Sequence, residues 1–192
     1  MKTISTLIIS SVLAASVALP ATAAVETFTF DPHHTSVLWH VNHMGFSQVS
    51  GKWPANGTLE LDEANPKNSK VNITIQMAEL ATGTPEFDTH LKSKDFFDVA
   101  AFPTATFVSD KVEVTGKNTA KVTGQLTLHG VTKPVTLTVK MNKIGMHPIA
   151  KKQAVGFSGK GELKRSEFGV SAYVPNVGDE VALEIQAEAQ KS

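Results

Sequence analysis

The chain has 192 residues, 41% of them apolar and 19% charged, which is typical of a globular protein and excludes a disordered tail or a fibre. Its 18 basic and 18 acidic residues balance, so nucleic acid is not expected as the main partner, and anionic lipid surfaces exert little attraction. There is no cysteine, which excludes disulfides, thiolate metal sites and a cysteine nucleophile.

The first 23 residues have the pattern of a secretory signal peptide. Lys2 is followed by apolar or small residues at positions 4–19, and residues 21–23 have the small side chains of a cleavage site. The apolar run is short for a membrane span, which needs about 20 residues, and this disfavours the alternative of an N-terminal anchor. We therefore expect residues 24–192 to form the mature protein, exported to the periplasm and without integral membrane insertion.

Most of the mature chain alternates apolar and polar residues with the period of two that is typical of β-strands. The connections between these runs are short, which favours antiparallel pairing. Asn56-Gly57 has the chemistry of a two-residue hairpin turn, and residues 116–118 are expected to join two further strands. The clearest alternating runs are residues 37–43, 71–77, 122–128, 135–141, 155–163 and 181–185.

One segment interrupts the strand pattern. Thr84 followed by Pro85 is typical of a helix start, with Thr84 as the capping residue and Pro85 in the first helical position. Phe87 and Leu91 then lie one helical turn apart on the same face. We predict a short helix near residues 85–92, followed by an aromatic loop.

About eight antiparallel strands in one domain predict an all-β fold that closes into a barrel, because closure removes exposed strand edges. Such a barrel is either filled with side chains or holds one small ligand. The inward-facing Gly124, Gly159 and Gly161 either leave space or relieve strand curvature in a filled core, and the sequence leaves both interpretations open. Two Trp and one Tyr are too few for the aromatic girdles of an outer-membrane barrel, which disfavours that alternative.

Motifs for catalysis or metal binding are mostly absent. His33 and His34 are adjacent, and His40 and His43 are three apart, so neither pair can share one face of a strand. A metal site assembled in space from His34, His43 and His90 is the remaining alternative. No serine-hydrolase or dinucleotide-binding motif occurs either. We therefore predict no catalytic residues, no metal and no cofactor.

The mature chain resembles the YceI-like family of exported bacterial proteins over essentially its whole length. The resemblance rests on several short blocks that occur in one order and spacing. Trp53 stands where many relatives have Phe, which is a mild departure. The blocks include residues 31–37 (DPHHTSV), 39–45 (WHVNHMG), 88–93 (DTHLKS), 95–99 (DFFDV), 124–134 (GQLTLHGVTKP) and 165–169 (RSEFG).

This resemblance implies an extended, lipocalin-like antiparallel barrel over residues 24–192. Relatives hold a long isoprenoid chain, such as a polyprenyl quinone or polyprenyl phosphate, and others hold fatty-chain amides. The resemblance thus implies a hollow interior, an isoprenoid or fatty-chain lipid as the partner, and no catalytic residues that could be carried over. Some relatives dimerise, so a homodimer is a further expectation.

The expected ligand contacts come from inward-facing strand residues and from the helix and its aromatic loop. Arg165, His43, His90 and Asp88 are the polar candidates for contacts to a lipid head group. The predicted ligand-binding residues are Val37, Trp39, Val41, His43, Ile73, Ile75, Phe87, Leu91, Phe96, Phe97, Phe102, Phe107, Leu126, Leu128, Phe157 and Arg165.

Three classes of function are compatible with these observations. The first is a periplasmic binding or carrier protein for an isoprenoid or similar amphiphilic lipid. The second is an enzyme that acts on such a lipid through the His and Asp side chains near the helix. The third is an envelope stress or interaction module whose barrel is filled. The inward glycines, the aromatic segment and the missing catalytic motifs favour the first class.

Overall fold

A computed structural model describes residues 25–192, so the predicted signal peptide at residues 1–23 lies outside the described part. One α-helix, α1 (Pro85–Lys92), interrupts a succession of strands, and three short 3-10 turns lie at Pro66–Asn68, Met77–Glu79 and Arg165–Phe168. The strands are β1 (Glu26–Phe30), β2 (Ser36–His43), β3 (Ser47–Pro54), β4 (Asn56–Leu61), β5 (Lys70–Gln76), β6 (Thr104–Gly116), β7 (Thr119–Leu128), β8 (Val131–Met146), β9 (Gln153–Lys164) and β10 (Val177–Lys191).

All strand pairs are antiparallel, and β10 closes the sheet on itself by pairing with β1. β2 pairs with the first part of β10 and β1 with its last residues, so β1 and β2 share one position in the barrel wall. β3 pairs with β2 and β4 pairs with β1, so β3 and β4 share the neighbouring position. Each of these two pairs therefore acts as one bent strand, and the wall has eight strand positions. The predicted all-β barrel of about eight antiparallel strands is confirmed.

The barrel has two ends with different connections. We call the end at which β2, β5, β7 and β9 finish the mouth end, and the opposite end the far end. The connections at the mouth end are residues 44–46, 77–103, 129–130 and 165–176. The connections at the far end are residues 62–69, 117–118 and 147–152.

Buried apolar side chains form three clusters. The mouth cluster lies around Trp39, Trp53 and Leu91, and α1 packs against it. The side cluster joins Phe107, Val122, Val135 and Phe168. The far cluster consists of Phe28, Phe30, Leu59, Leu61, Val155 and Ala189.

The inward-facing glycines make room for large side chains on neighbouring strands. A methyl group on Gly124 would lie 2.6 Å from the ring of Phe107, and one on Gly161 would lie 2.6 Å from the side chain of Leu137. At Gly159 the nearest atom would be 3.3 Å away. Since protein interiors are close-packed, these glycines belong to a filled part of the wall and do not by themselves leave vacant space.

The predicted hairpin at Asn56-Gly57 is wrong. Both residues lie in β4, where they pair with Thr74 and Ile73 of β5, and β4 continues in the direction of β3. Gly57 has a φ of 144°, and a methyl group there would lie 2.0 Å from the carbonyl oxygen of Asn72. The glycine therefore permits the close approach of two strands rather than a turn.

The predicted helix near residues 85–92 is confirmed as α1, with Pro85 as its first residue. Thr84 occupies the N-cap position, but its side chain forms no capping hydrogen bond. The start of the helix is held instead by Asp88, whose carboxylate accepts hydrogen bonds from the backbone N–H of Thr82 at 2.7 Å and from its hydroxyl at 2.6 Å. In residues 25–192, no helix is long and apolar enough to cross a membrane.

Candidate functional site

The mouth half of the barrel contains a cavity of about 330 Å³. Strands β2, β3, β9 and β10 form its wall, and α1 with the following aromatic loop covers one side. The lining is almost entirely apolar, which suits the hydrocarbon part of a ligand. The lining residues are Trp39, Val41, His43, Met44, Val49, Trp53, Phe87, His90, Leu91, Phe96, Phe97, Leu128, Leu163, Arg165, Val170, Tyr173, Val177, Val181 and Leu183.

The cavity brings together part of the predicted ligand-binding set. These residues come from β2, from α1 and its aromatic loop, from the mouth end of β7 and from the 3-10 turn that follows β9. Those that line the cavity are Trp39, Val41, His43, Phe87, Leu91, Phe96, Phe97, Leu128 and Arg165.

The other predicted ligand-binding residues lie outside this lining. Phe107 and Leu126 belong to the side cluster, Phe157 packs on the far cluster, and Ile73 contacts both of these clusters. Ile75 packs against the mouth cluster from the side of β5. The remaining two are Val37, which is half-buried on β2, and Phe102, whose ring centroid lies 4.4 Å from that of His129.

Two tryptophans form the deepest aromatic part of the cavity wall. The Trp39 and Trp53 ring centroids are 6.2 Å apart, and Phe97 meets Trp53 edge-on at 5.2 Å. The indole N–H of Trp53 donates to the carbonyl oxygen of Met77 at 3.2 Å, whereas the buried indole N–H of Trp39 has no partner within residues 25–192. Trp39 lies over Gly51, where a methyl group would be 2.5 Å from its ring.

The opening of the cavity is marked by residues that line it and are also exposed. Met44, His90 and Tyr173 meet both criteria. Phe96 lies between two of them, with its ring centroid 4.9 Å from that of His90 and 6.0 Å from that of Tyr173. A row of aromatic rings therefore borders the opening at the mouth end.

Arg165 is a buried cation that braces this end of the barrel. Its guanidinium donates three hydrogen bonds, to the carbonyl oxygens of Gly178 at 2.8 Å, Val170 at 2.9 Å and Val177 at 3.0 Å. Burial lowers the pKa of Arg165 from its usual value, and the nearby charge of Asp179 acts in the opposite direction. The side chain thus ties the loop after β9 to the start of β10 while it lines the cavity.

The polar side chains near α1 do not form an acid–base pair. The two hydrogen bonds from Thr82 hold the pKa of the Asp88 carboxyl below its ordinary value, and Asp88 does not line the cavity. His90 lines the cavity but packs edge-on against Phe96. An enzyme that needs the two side chains to act together gains no support from this geometry.

The histidines of the alternative metal site lie apart. His43 and His90 line the cavity, whereas His34 bonds through Nδ1 to the Asp31 carboxylate at 2.6 Å. That bond raises the pKa of His34 and lowers that of Asp31. Asp31, His34 and Glu188 offer ligand atoms within 4.8 Å of one another. The hydrogen bond between Asp31 and His34 accounts for the short distance between these two side chains. This cluster therefore receives no metal assignment.

Several cavity residues were not predicted from the sequence. Leu163, Val181 and Leu183 continue the alternating runs of β9 and β10, so the period of two could have found them. Val170 and Tyr173 come from the loop before β10, which has no periodicity, and Val177 is the first residue of β10. The available signal there is the absence of charged residues from position 168 to position 178.

Comparisons with known proteins agree with the fold. The YceI-like domain family matches residues 28–189. A UPF0312 protein of Pseudomonas savastanoi pv. phaseolicola is 40% identical over 156 residues, which are 81% of each chain. The crystal structure of the Campylobacter jejuni YCEI protein is 30% identical, with a TM-score of 0.71 over 79% of this chain and 90% of that one.

A more distant solved structure has the same fold. It is a polyisoprenoid binding domain from Saccharophagus degradans, implicated in plant cell wall breakdown. It is 10% identical, with a TM-score of 0.65 over 88% of this chain and 99% of that one. The family match, the close relative and the shared barrel together show that the chain belongs to the YceI-like family.

Proposed function

We propose that the chain is a periplasmic binding or carrier protein that holds a long isoprenoid or similar amphiphilic lipid, of the polyprenyl quinone or polyprenyl phosphate class. The observation that carries the proposal is the apolar cavity of about 330 Å³ at the mouth end. Its volume lies near the lower limit of the about 300–1,000 Å³ that ligand pockets occupy. The shared fold of the Saccharophagus degradans polyisoprenoid binding domain supports this class of ligand.

The packed clusters limit how much of a lipid can be enclosed. Phe28 and Val155 of the far cluster and Phe168 of the side cluster have almost no exposed surface. A long chain can therefore enter from the mouth only as far as these side chains, and its remainder leaves through the opening. The site thus suits one end segment of a lipid rather than its full length.

The free energy of binding depends on where the lipid comes from. Burying one methylene from water is worth about 0.8 kcal/mol, but a long isoprenoid normally resides in a membrane. Transfer from lipid to an apolar cavity gains little, and ordering the chain costs free energy. Cavity shape and a few polar contacts therefore have to supply the selectivity, which keeps loading and release nearly balanced.

The polar groups at the cavity wall are suited to a head group that carries oxygen acceptors. Three N–H donors of Arg165 bond to carbonyls, and a guanidinium has five, so about two are free for a quinone carbonyl or a phosphate oxygen. His43 and His90 border the same cavity. We expect the head group of the lipid to lie near these side chains and its hydrocarbon chain to lie near Trp39 and Val41.

The decisive experiment is native mass spectrometry and organic extraction of the protein purified from its own envelope. We expect a bound isoprenoid or similar lipid, and recovery of the protein in the osmotic-shock fraction of its cells. Protein without extractable lipid would favour the interaction module, and a chemically altered lipid product would favour the enzyme.

A substitution in the cavity wall tests whether the extracted lipid occupies this cavity. Leu183 lies on β10 and lines the cavity, so the larger ring of Leu183→Phe should fill space that the ligand needs. We expect this variant to retain at most about a tenth of the wild-type lipid, because its ring competes for the same volume. Leu183→Met conserves volume and should retain lipid normally. Equal lipid content in all three proteins would place the ligand elsewhere.

A further inference from the structure

We propose that two uncharged segments at the mouth end, residues 44–51 and residues 168–178, insert into the surface of a lipid bilayer and so present the cavity opening to its cargo. This inference rests on the proposed function, because it concerns how a membrane lipid reaches the same cavity. We call residues 44–51 and 168–178 the uncharged segments.

The uncharged segments expose large apolar side chains to solvent. Phe46 is 91% exposed, Tyr173 is 58% exposed, Met44 is 49% exposed and Val174 is 36% exposed. A patch of neighbouring apolar side chains that are this exposed is unusual on a protein that remains in water, and such patches mark interaction surfaces. Phe and Tyr are also residues that favour the interface between a bilayer and water.

The two segments form one surface because the backbone joins them. The backbone N–H of Met44 donates to the carbonyl oxygen of Asn176 at 3.1 Å. A further bond fixes the turn at each segment, from Phe46 N–H to the His43 carbonyl at 3.0 Å and from Val177 N–H to the Tyr173 carbonyl at 2.8 Å. The exposed side chains are thus presented together on a structured edge of the barrel.

Charge is distributed in a way that favours a bilayer as the partner. The uncharged segments contain no Asp, Glu, Lys or Arg, although 19% of the whole chain is charged. The far end also exposes apolar side chains, such as Ile149, but Lys151 and Lys152 lie two and three residues after it. Charged side chains oppose insertion into the apolar layer, so only the mouth end is suited to it.

The exposed surface continues directly into the cavity. Met44 and Tyr173 line the cavity and are also exposed, so an apolar path leads from the bilayer to the interior without crossing water. A second copy of the chain on this surface would cover the opening and block entry. α1 borders the opening on another side and carries charges of both signs, as does a residue pair shortly after it. These charged side chains remain among the lipid head groups and do not enter the apolar layer. They are Glu86, Asp88, Lys92, Lys94 and Asp95.

The test measures vesicle binding and ligand binding separately. Wild type, Phe46→Ser and Ile149→Ser are floated with vesicles of phosphatidylethanolamine and phosphatidylglycerol, and decylubiquinone binding is followed in vesicle-free buffer by quenching of tryptophan fluorescence. Ile149 is 86% exposed at the far end, which makes Ile149→Ser the matched control. Both positions are exposed, so both variants are expected to fold, and circular dichroism verifies this.

We expect Phe46→Ser to lower the vesicle partition coefficient about tenfold, since burial of a Phe side chain changes an equilibrium by one to two orders of magnitude. Ile149→Ser should bind vesicles as wild type does, high salt should not release the protein, and all three proteins should bind decylubiquinone equally. Equal partitioning of all three proteins, or no vesicle binding by wild type, would overturn the docking proposal.

Two further outcomes separate this proposal from its alternatives. If wild type sediments as a dimer, Phe46→Ser sediments as a monomer and neither binds vesicles, the surface joins two copies of the chain and the proposal is overturned. If vesicle binding depends on Phe46 but no protein binds decylubiquinone or carries extractable lipid, the docking surface stands and the proposed function fails.

Discussion

The two halves of the barrel interior come from the same strands but are filled differently. In the far half, Phe28 and Ala189 have no exposed surface and Val155 has almost none. In the mouth half, β10 places Val181 and Leu183 on the wall of a cavity. A single strand thus contributes to a packed core at one end and to the wall of a cavity at the other, so we expect stability and ligand binding to depend on different lengths of the same wall.

The difference follows from what closes each half. Side chains of the strands themselves fill the far half, whereas α1 and the loop at residues 165–176 cover the mouth half. Loops and single helices open at a smaller free-energy cost than packed strand interiors. The mouth half is therefore the part expected to open for a ligand, while the far half keeps the barrel closed.

The largest expected effect is in the far half. Phe28→Ala should lower the free energy of unfolding by about 3–5 kcal/mol, because it leaves a cavity among side chains that have no access to solvent. Chemical denaturation measures the loss, and folded protein should still bind decylubiquinone. Val114→Ala, at a position that is 47% exposed, should change stability by at most about 0.5 kcal/mol. A loss of under about 1 kcal/mol for Phe28→Ala would show that the far cluster is not the main source of the free energy of unfolding.

A smaller effect on stability but a direct effect on the cavity is expected at Gly51. A methyl group in Gly51→Ala would lie 2.5 Å from the ring of Trp39, so the indole has to move. We expect a loss of about 1–3 kcal/mol in stability, weaker decylubiquinone binding and an altered tryptophan emission spectrum. In Gly156→Ala the methyl group would lie 3.9 Å from its nearest neighbour, so this control should bind normally. Unaltered binding by Gly51→Ala would show that Trp39 does not shape the site.

The smallest expected effect is a pH dependence of the free energy of unfolding that comes from Asp179 at the mouth end. Asp179 accepts hydrogen bonds from the backbone N–H of Ser166 at 2.9 Å and from its hydroxyl at 2.8 Å, which lowers the pKa of Asp179 below its ordinary value of 3.8. A carboxyl whose pKa is lowered by folding stabilises the protein above its unfolded pKa, and this contribution is lost as the pH falls through the folded pKa.

Denaturation of wild type and Asp179→Asn at a series of pH values measures this contribution. The free energy of unfolding should fall on acidification below about pH 4 in both proteins. The fall should be smaller in Asp179→Asn, because the variant has one fewer carboxylate to protonate. An identical pH profile for the two proteins would mean that Ser166 and Asp179 do not hold the mouth loop.

The sequence predicted most of the fold because the period of two is a local signal. The runs at residues 71–77, 135–141 and 181–185 fall on β5, β8 and β10, and Pro85 begins α1 as expected. The hairpin at Asn56-Gly57 was wrong because the same glycine serves a close approach between strands. Local chemistry could not tell a turn from a crowded strand pair, since the deciding atom is the carbonyl oxygen of a distant residue.

The site was harder to predict because alternation gives the face of a strand and not its depth in the barrel. Trp39 and Phe157 have the same pattern in sequence, yet Trp39 lines the cavity and Phe157 packs on the far cluster. Depth depends on the stagger between neighbouring strands, which no single run contains. The loop that carries Tyr173 has no period at all, and only its lack of charge marks it.

The pairing of β1 with β10 has a consequence for the order of assembly. Phe28 is opposite Lys191 and Phe30 is opposite Ala189, so the seam of the barrel joins nearly the first and the last described residues. Contacts so distant in sequence form late, because they require most of the chain to be ordered first. A growing polypeptide cannot complete this ring of strands until residues 189–191 have been synthesised, and removal of these residues would reopen it.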